Sequence, residues 1–75
     1  MDPRLANYVT KDPDRLGGVP VFTGTRVPVR SLFDYLKAGR STEQFLADFP
    51  GVSSEQILAV LDLAIRDVLK DLQAA

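Results

Sequence analysis

The feature that most constrains the fold is a stretch rich in glycine, proline and valine, Gly17-Gly18-Val19-Pro20-Val21-Phe22-Thr23-Gly24-Thr25-Arg26-Val27-Pro28-Val29. Valine and phenylalanine suit a pleated, half-buried surface. In Thr23-Gly24-Thr25, glycine can adopt the positive φ that a tight turn requires. The stretch therefore predicts two short strands around a turn. Pro20 and Pro28 limit these strands, because proline cannot donate to a ladder and is confined to edges or strand ends.

A two-stranded ribbon is marginal in water and needs another strand or a helical layer against it. Tyr8-Val9-Thr10 is the run that could supply a strand, within one chain or across a dimer. The alternative is an unpaired N-terminal arm. Around it, Asp2-Pro3 and Asp12-Pro13 predict turns, because the residue before proline is pushed out of the helical region.

Apolar residues recur at helical spacing from Val29 onward and predict three helices. Helix one begins near Val29 or Arg30 and ends at Gly39, where a left-handed residue stops it. Its apolar stripe consists of Val29, Leu32, Phe33 and Leu36. Helix two follows Ser41, a good N-cap with Gln44 at the third helical position, and Pro50-Gly51 stops it.

The N-terminal capping signal of helix three is more complete than that of helix two. Ser53 predicts its N-cap, Gln56 lies at the third helical position, and Val52 can meet Ile57 in a hydrophobic staple. Its apolar side chains then cover an arc of about 180° at ~100° per residue, whereas a surface helix needs a stripe nearer 100°. The excess predicts a homodimer, with an interface formed by Ile65, Val68, Leu69 and Leu72. The alternative is a monomer with an exposed apolar strip.

Length and composition exclude several classes of protein. The chain has 75 residues, which predicts a single domain with an N-terminal arm and β-hairpin (1–28) and a three-helix unit (29–75). It has no cysteine and no histidine, which excludes Cys/His zinc sites and Cys–His or Ser–His nucleophiles. Asp12-Pro13-Asp14 is interpreted as a solvated turn rather than a metal or acid/base pair. We expect no enzymatic activity, cofactor or metal.

No apolar run approaches the roughly 20 residues of a membrane span, and the N-terminus lacks an apolar segment of the signal-peptide type. A cytoplasmic protein without membrane contact is therefore expected. The net charge is −1, but it is unevenly distributed: residues 1–40 are mainly basic and residues 41–75 mainly acidic. This asymmetry bears on the choice of partners rather than on the fold.

The order short helix, three-residue turn, longer helix predicts a helix-turn-helix, and helix one completes a homeodomain-like unit. In such units the first turns of the last helix enter the major groove. Ser54 and Gln56 could there read base edges, and Glu55 could accept from cytosine but would also repel phosphates. The alternative is that Ser53 and Gln56 only cap the helix.

The run from Leu16 to Val29 resembles the signature GGxPxFxGTRVPV of the bacterial and archaeal family catalogued as domain of unknown function 433. The matching motif residues are Gly17, Gly18, Pro20, Gly24, Thr25, Arg26 and Pro28. Later segments, such as Tyr35-Leu36-Lys37-Ala38-Gly39, agree, and the resemblance extends from about Asn7 to Leu72. It implies a homeodomain-like helical unit without known enzymatic activity. Members resemble type II antitoxins, often beside a PIN-like ribonuclease, and such a domain is the DNA-binding part of some VapB-type antitoxins.

A basic surface of Arg26, Arg30, Lys37 and Arg40 is the candidate for contacting DNA phosphates. Arg30 and Lys37 are seven residues apart and share a helix face. Alternatively, Arg26 pairs with an acidic residue of helix three or with a helix C-terminus. The carboxylates of helix three (Asp62, Asp67 and Asp71) either face a basic partner or are simply solvated.

These observations together predict a mainly α-helical, dimeric protein that resembles an antitoxin, binds operator DNA and neutralises a cognate toxin. The alternative is a protein-interaction or dimerisation module without DNA binding. The basic surface favours DNA, whereas the acidic third helix favours protein contacts alone.

Overall fold

Three helices follow a two-stranded antiparallel β element in the computed structural model, which describes residues 7–11 and 16–74. The elements are β1 (Val9–Thr10), a single 3-10 turn (Leu16–Gly18), β2 (Val21–Phe22), α1 (Val29–Lys37), α2 (Thr42–Asp48) and α3 (Ser54–Ala74). This architecture confirms the predicted fold class. The Asp2-Pro3 and Asp12-Pro13-Asp14 turns lie outside the described residues.

Strand β2 lies between β1 and the segment that follows the turn. On one side it pairs with β1, with Val9 opposite Phe22 and Thr10 opposite Val21. The N-terminal run therefore supplies its strand within the same chain. On the other side Phe22 N donates to Val27 O over 3.0 Å, and a single bridge joins Val21 to Pro28.

The C-terminal arm of the predicted hairpin does not extend beyond this bridge. Pro28 has no N–H to donate, and Val29 already begins α1. The N–H of Val29 still donates to Pro20 O over 3.0 Å. The hairpin therefore passes directly into the first helix, which fixes the position of the turn relative to α1.

Local signals set the helix ends as predicted. Gly39 has a φ of 81° directly after the C-cap of α1, where a side chain would be strained. Ser41 Oγ accepts from Gln44 N over 3.0 Å and caps α2. The Gln44 side chain does not complete a capping box there. It donates instead to Asp48 Oδ1 over 2.9 Å.

At α3 the capping box is reciprocal. Ser53 Oγ accepts from Gln56 N over 3.2 Å, and Gln56 Oε1 accepts from Ser53 N over 2.9 Å. The predicted staple residues, Val52 and Ile57, are both buried in the core. The capping box therefore satisfies two N–H groups at the start of α3, and the apolar residues beside it are covered.

One hydrophobic core joins the β element to all three helices. Its buried members are Phe22, Leu32, Phe45, Val52, Ile57 and Val60. Phe45 is central, with ring centroids 6.0 Å from Phe22, 5.1 Å from Tyr35 and 4.8 Å from Phe49. Among the described residues, no helix is both long and apolar enough to cross a bilayer.

Candidate nucleic-acid and partner interfaces

The turn after β2 presents Arg26. Gly24 has a φ of 82°, and the hydroxyl of Thr25 donates to Phe22 O over 2.7 Å and accepts from Val27 N over 3.0 Å. Thr25 is therefore a structural residue that closes the turn from inside. The sequence motif alone did not identify this role. The side chain of Arg26, the next residue, is exposed.

The Thr25 methyl group lies against the α2–α3 turn. A Cβ built on Gly51 would be 3.4 Å from Thr25 Cγ2, which is ordinary contact distance. The hairpin turn that carries Arg26 and the turn between α2 and α3 are therefore neighbours. Arg26 forms no ion pair with any described residue, so the structure does not show the predicted alternative of a carboxylate partner.

Helix α1 carries the next two cations. Arg30 lies in its first turn and Lys37 at its last residue, and both are exposed. Arg30 Nε is 4.0 Å from Asp34 Oδ2, with both side chains largely in solvent, so this contact contributes little. Seven residues of helix separate the two cations by about 10 Å along the axis. They remain available to an external anion.

Arg40 lies at the junction of α1 and α2, in a small polar cluster. Its guanidinium carbon is 5.2 Å from the ring centroid of Tyr35, a cation–π distance. The Tyr35 hydroxyl donates to Asp48 Oδ2 over 2.7 Å. This hydrogen bond is the main cause that raises the pKa of Tyr35, since it favours the protonated phenol. The cluster holds Arg40 at the surface beside the start of α2.

Gln56 does not point to solvent. Only 8% of the residue is exposed, and its Nε2 donates to Tyr8 O over 3.2 Å and to Thr23 O over 3.0 Å. Its Oε1 accepts from Ser53 N. The oxygen and the nitrogen of the side-chain amide are both hydrogen-bonded within the protein. Gln56 therefore caps α3, which is the alternative to reading a base. A base contact by Gln56 would require these bonds to break.

The exposed surface at the start of α3 has few hydrogen-bond donors. Ser54 and Glu55 are exposed, and Leu58, one turn later, is 66% exposed. Asp62 follows and pairs with Arg66, 3.1 Å from its Nη2. A groove-reading helix would need donors and cations here. This face instead offers apolar and acidic side chains.

The residues of the predicted dimer interface all lie in the exposed C-terminal half of α3. Ile65 and Val68 are each 58% exposed, Leu69 is 50% exposed and Leu72 is 69% exposed. No described part of the chain covers them. Exposed cations thus lie on the hairpin turn, on α1 and at the α1–α2 junction, whereas the exposed apolar strip lies on α3.

The fold and these surfaces define a small helical module with a β element at its N-terminal side. Its α2 and α3 are joined by residues 49–53 in the order of a helix-turn-helix. The chain belongs to the family described as Protein of unknown function (DUF433), whose model matches residues 9–64. The match extends from β1 into α3 and confirms the resemblance seen in the motif.

One curated relative is the uncharacterized protein y4eO of Sinorhizobium fredii (strain NBRC 101917 / NGR234). The two are 47% identical over 49 residues, which is 65% of this chain and 22% of the relative. The chain therefore spans less than a quarter of the relative that it matches. No solved structure matches the chain significantly.

Proposed function

We propose that this chain is an antitoxin-like protein of a type II toxin–antitoxin system, which binds operator DNA as a dimer and neutralises a PIN-like toxin. The observation that carries the DNA-binding part is the exposed set of cations on the hairpin turn, α1 and the α1–α2 junction: Arg26, Arg30, Lys37 and Arg40. The chain belongs to the family of unknown function, and the antitoxin setting rests on the resemblance stated for its motif.

The surfaces favour binding through phosphates over binding through base edges. Arg26 and Lys37 have no carboxylate partner among the described residues, so neither must break an ion pair to reach a phosphate. A guanidinium can hold two phosphate oxygens at once. Of the two candidate base-reading residues, Gln56 is buried and Ser54 is exposed. The expected affinity is therefore strongly salt-dependent and only modestly specific.

The toxin-binding part rests on the chemistry of α3. Its exposed carboxylates, Asp62, Asp67 and Asp71, complement the basic groove that a ribonuclease needs to hold RNA. DNA and toxin would then contact different parts of the chain.

Electrophoretic mobility shifts on the DNA upstream of the protein's own gene, at two salt concentrations, test the DNA-binding part. We expect a shift at low salt that weakens steeply as salt rises. Arg26→Ala and Arg40→Ala should weaken it. Arg66→Ala, which removes an equal charge from α3, is the matched control and should not.

Growth of cells that produce a neighbouring PIN-like toxin tests the neutralising part. Co-production of this chain should restore growth. Failure to restore growth, together with absence of a stable complex between the purified proteins, would contradict neutralisation.

A module that acts only through protein contacts is the second candidate, and the acidic, apolar face of α3 favours it. It predicts no shift at any salt concentration but a stable complex with a protein. The two sets of measurements together distinguish it from the first proposal.

A further inference from the structure

A row of apolar side chains runs along α3 from its second turn, well before the exposed C-terminal half. Its members alternate at spacings of three and four residues: Leu58, Leu61, Ile65, Val68 and Leu72. Leu61 is half-buried, and the others are 58–69% exposed. Leu58 extends the row beyond the interface predicted from the sequence, which began at Ile65.

This row is a different face of α3 from the one in the core. The core face consists of Ile57 and Val60, which are buried, and Ala64, which is half-buried. At ~100° per residue, the centre of the row lies roughly 90° around the helix from that face. Leu61, at the edge between the two faces, packs against the core, whereas the other four members of the row are more than half exposed. The row therefore offers four exposed side chains, Leu58, Ile65, Val68 and Leu72, over a length of about 21 Å.

We propose that this row is the seam on which a second copy of the chain packs, helix against helix, in the manner of a short coiled coil. Alternation of three and four residues is the spacing of the inward-facing positions of such a pair. Leu69 and Asp62 border the row on one side, and Ile57 and Ala64 of the core face border it on the other. The charged Arg66, Asp67 and Lys70 fall on the outer positions.

Size and symmetry favour a second copy as the occupant. The exposed side chains of the row, with Leu69, would bury roughly 500 Å² on each chain, close to the ~1,000 Å² total that a specific interface needs. A two-fold axis brings the same row against itself, so no separate partner surface is required. The proposal deepens the dimer of the proposed function and rests on that dimer alone, because it makes no use of DNA or toxin.

Sedimentation equilibrium of the full chain, without DNA, tests the seam. We expect a dimer at micromolar concentration. The double variant Ile65→Gln/Val68→Gln should raise the dimer dissociation constant at least 100-fold, since each chain loses two desolvated side chains. Leu58→Gln should also weaken the dimer, by about tenfold. Leu63→Gln is the matched control, because Leu63 lies on the opposite side of α3 and is outside the row. It should leave the constant unchanged.

Circular dichroism of the same samples distinguishes dissociation of the dimer from misfolding of the variant. A seam variant that is monomeric and helical agrees with the proposal. A variant that unfolds at concentrations where the wild type is a folded dimer also agrees with it. A folded wild-type monomer at 100 micromolar would overturn it. So would a double variant that remains dimeric, or a Leu63→Gln control that dissociates equally. Failure of DNA binding would not change any of these outcomes, so the two proposals fail separately.

Discussion

The side-chain nitrogen of Gln56 donates to the main-chain oxygen of Tyr8 over 3.2 Å, across 48 positions of the chain. The same nitrogen donates to Thr23 O over 3.0 Å. One amide thus joins the residue before β1 and the turn after β2 to the first turn of α3. The β element and the helical unit depend on each other through this residue as well as through the core.

Gln56→Ala should lower the free energy of unfolding by about 2–4 kcal/mol. The substitution removes half of the α3 capping box and the two hydrogen bonds from Gln56 to Tyr8 O and Thr23 O. Urea unfolding followed by circular dichroism measures the loss. The neighbouring Glu55→Ala, at an exposed position, is the control and should change stability by less than about 0.5 kcal/mol.

The same pair of variants separates the two interpretations of Gln56. A base-reading residue could be replaced with little effect on stability but a large effect on DNA affinity. If Gln56→Ala unfolds at the same urea concentration as the wild type, the structural role is refuted.

Thr25→Val should destabilise the protein by about 1–2 kcal/mol, whereas Thr25→Ser should cost less. Valine keeps the methyl group beside Gly51 but loses the hydroxyl that donates to Phe22 O and accepts from Val27 N. Serine keeps the hydroxyl and loses the methyl. Thermal unfolding of the two variants measures the order. Equal stability of Thr25→Val and the wild type would show that the hydroxyl does not hold the turn.

The helix ends could be predicted from the sequence because their signals are local. Ser41 and Ser53 cap the helices that follow them, and Gly39 ends α1 at a positive φ, all within four residues of the signal. The need for a third β segment could also be predicted, since a lone ribbon is unstable.

The contacts between distant segments could not be predicted in the same way. The partners of Gln56 lie 33 and 48 positions away, and the pairing of Tyr35 with Asp48 spans 13 positions. No periodicity encodes such pairs. Thr25 was missed for a different reason: a hydroxyl that closes a turn leaves no pattern beyond a threonine after glycine.

The pKa of Tyr35 should lie above its ordinary value of 10.0, chiefly because its hydroxyl donates to Asp48. A pKa raised on folding adds stability below the unfolded value, and that stability is lost as the pH rises through the folded value. The wild type should therefore lose stability above pH 10.0. Tyr35→Phe, which has no proton to lose at this position, should show a smaller loss.

Ultraviolet absorbance of the phenolate measures this titration directly. The chain has two tyrosines, so a Tyr8→Phe background leaves Tyr35 as the only one. Adding Asp48→Asn should lower the titration midpoint, because the carboxylate that favours the protonated phenol is gone. An unchanged midpoint would mean that the Tyr35–Asp48 hydrogen bond is not formed in solution.

Arg26 is the residue on which the proposed DNA surface depends most, because its side chain is exposed beside a turn that Thr25 holds closed. If it contacts a phosphate, Arg26→Ala should weaken binding to all DNA sequences about equally. It should also reduce the slope of log affinity against log salt by about 1 per chain. Fluorescence anisotropy over a salt series measures both quantities.

Arg66→Ala, the control on α3, should leave the slope unchanged. An equal fall in slope for the two variants would indicate a general charge effect. A dimer that contacts DNA through both copies should lose about 2 from the slope, so the size of the change also reports how many Arg26 side chains reach the backbone.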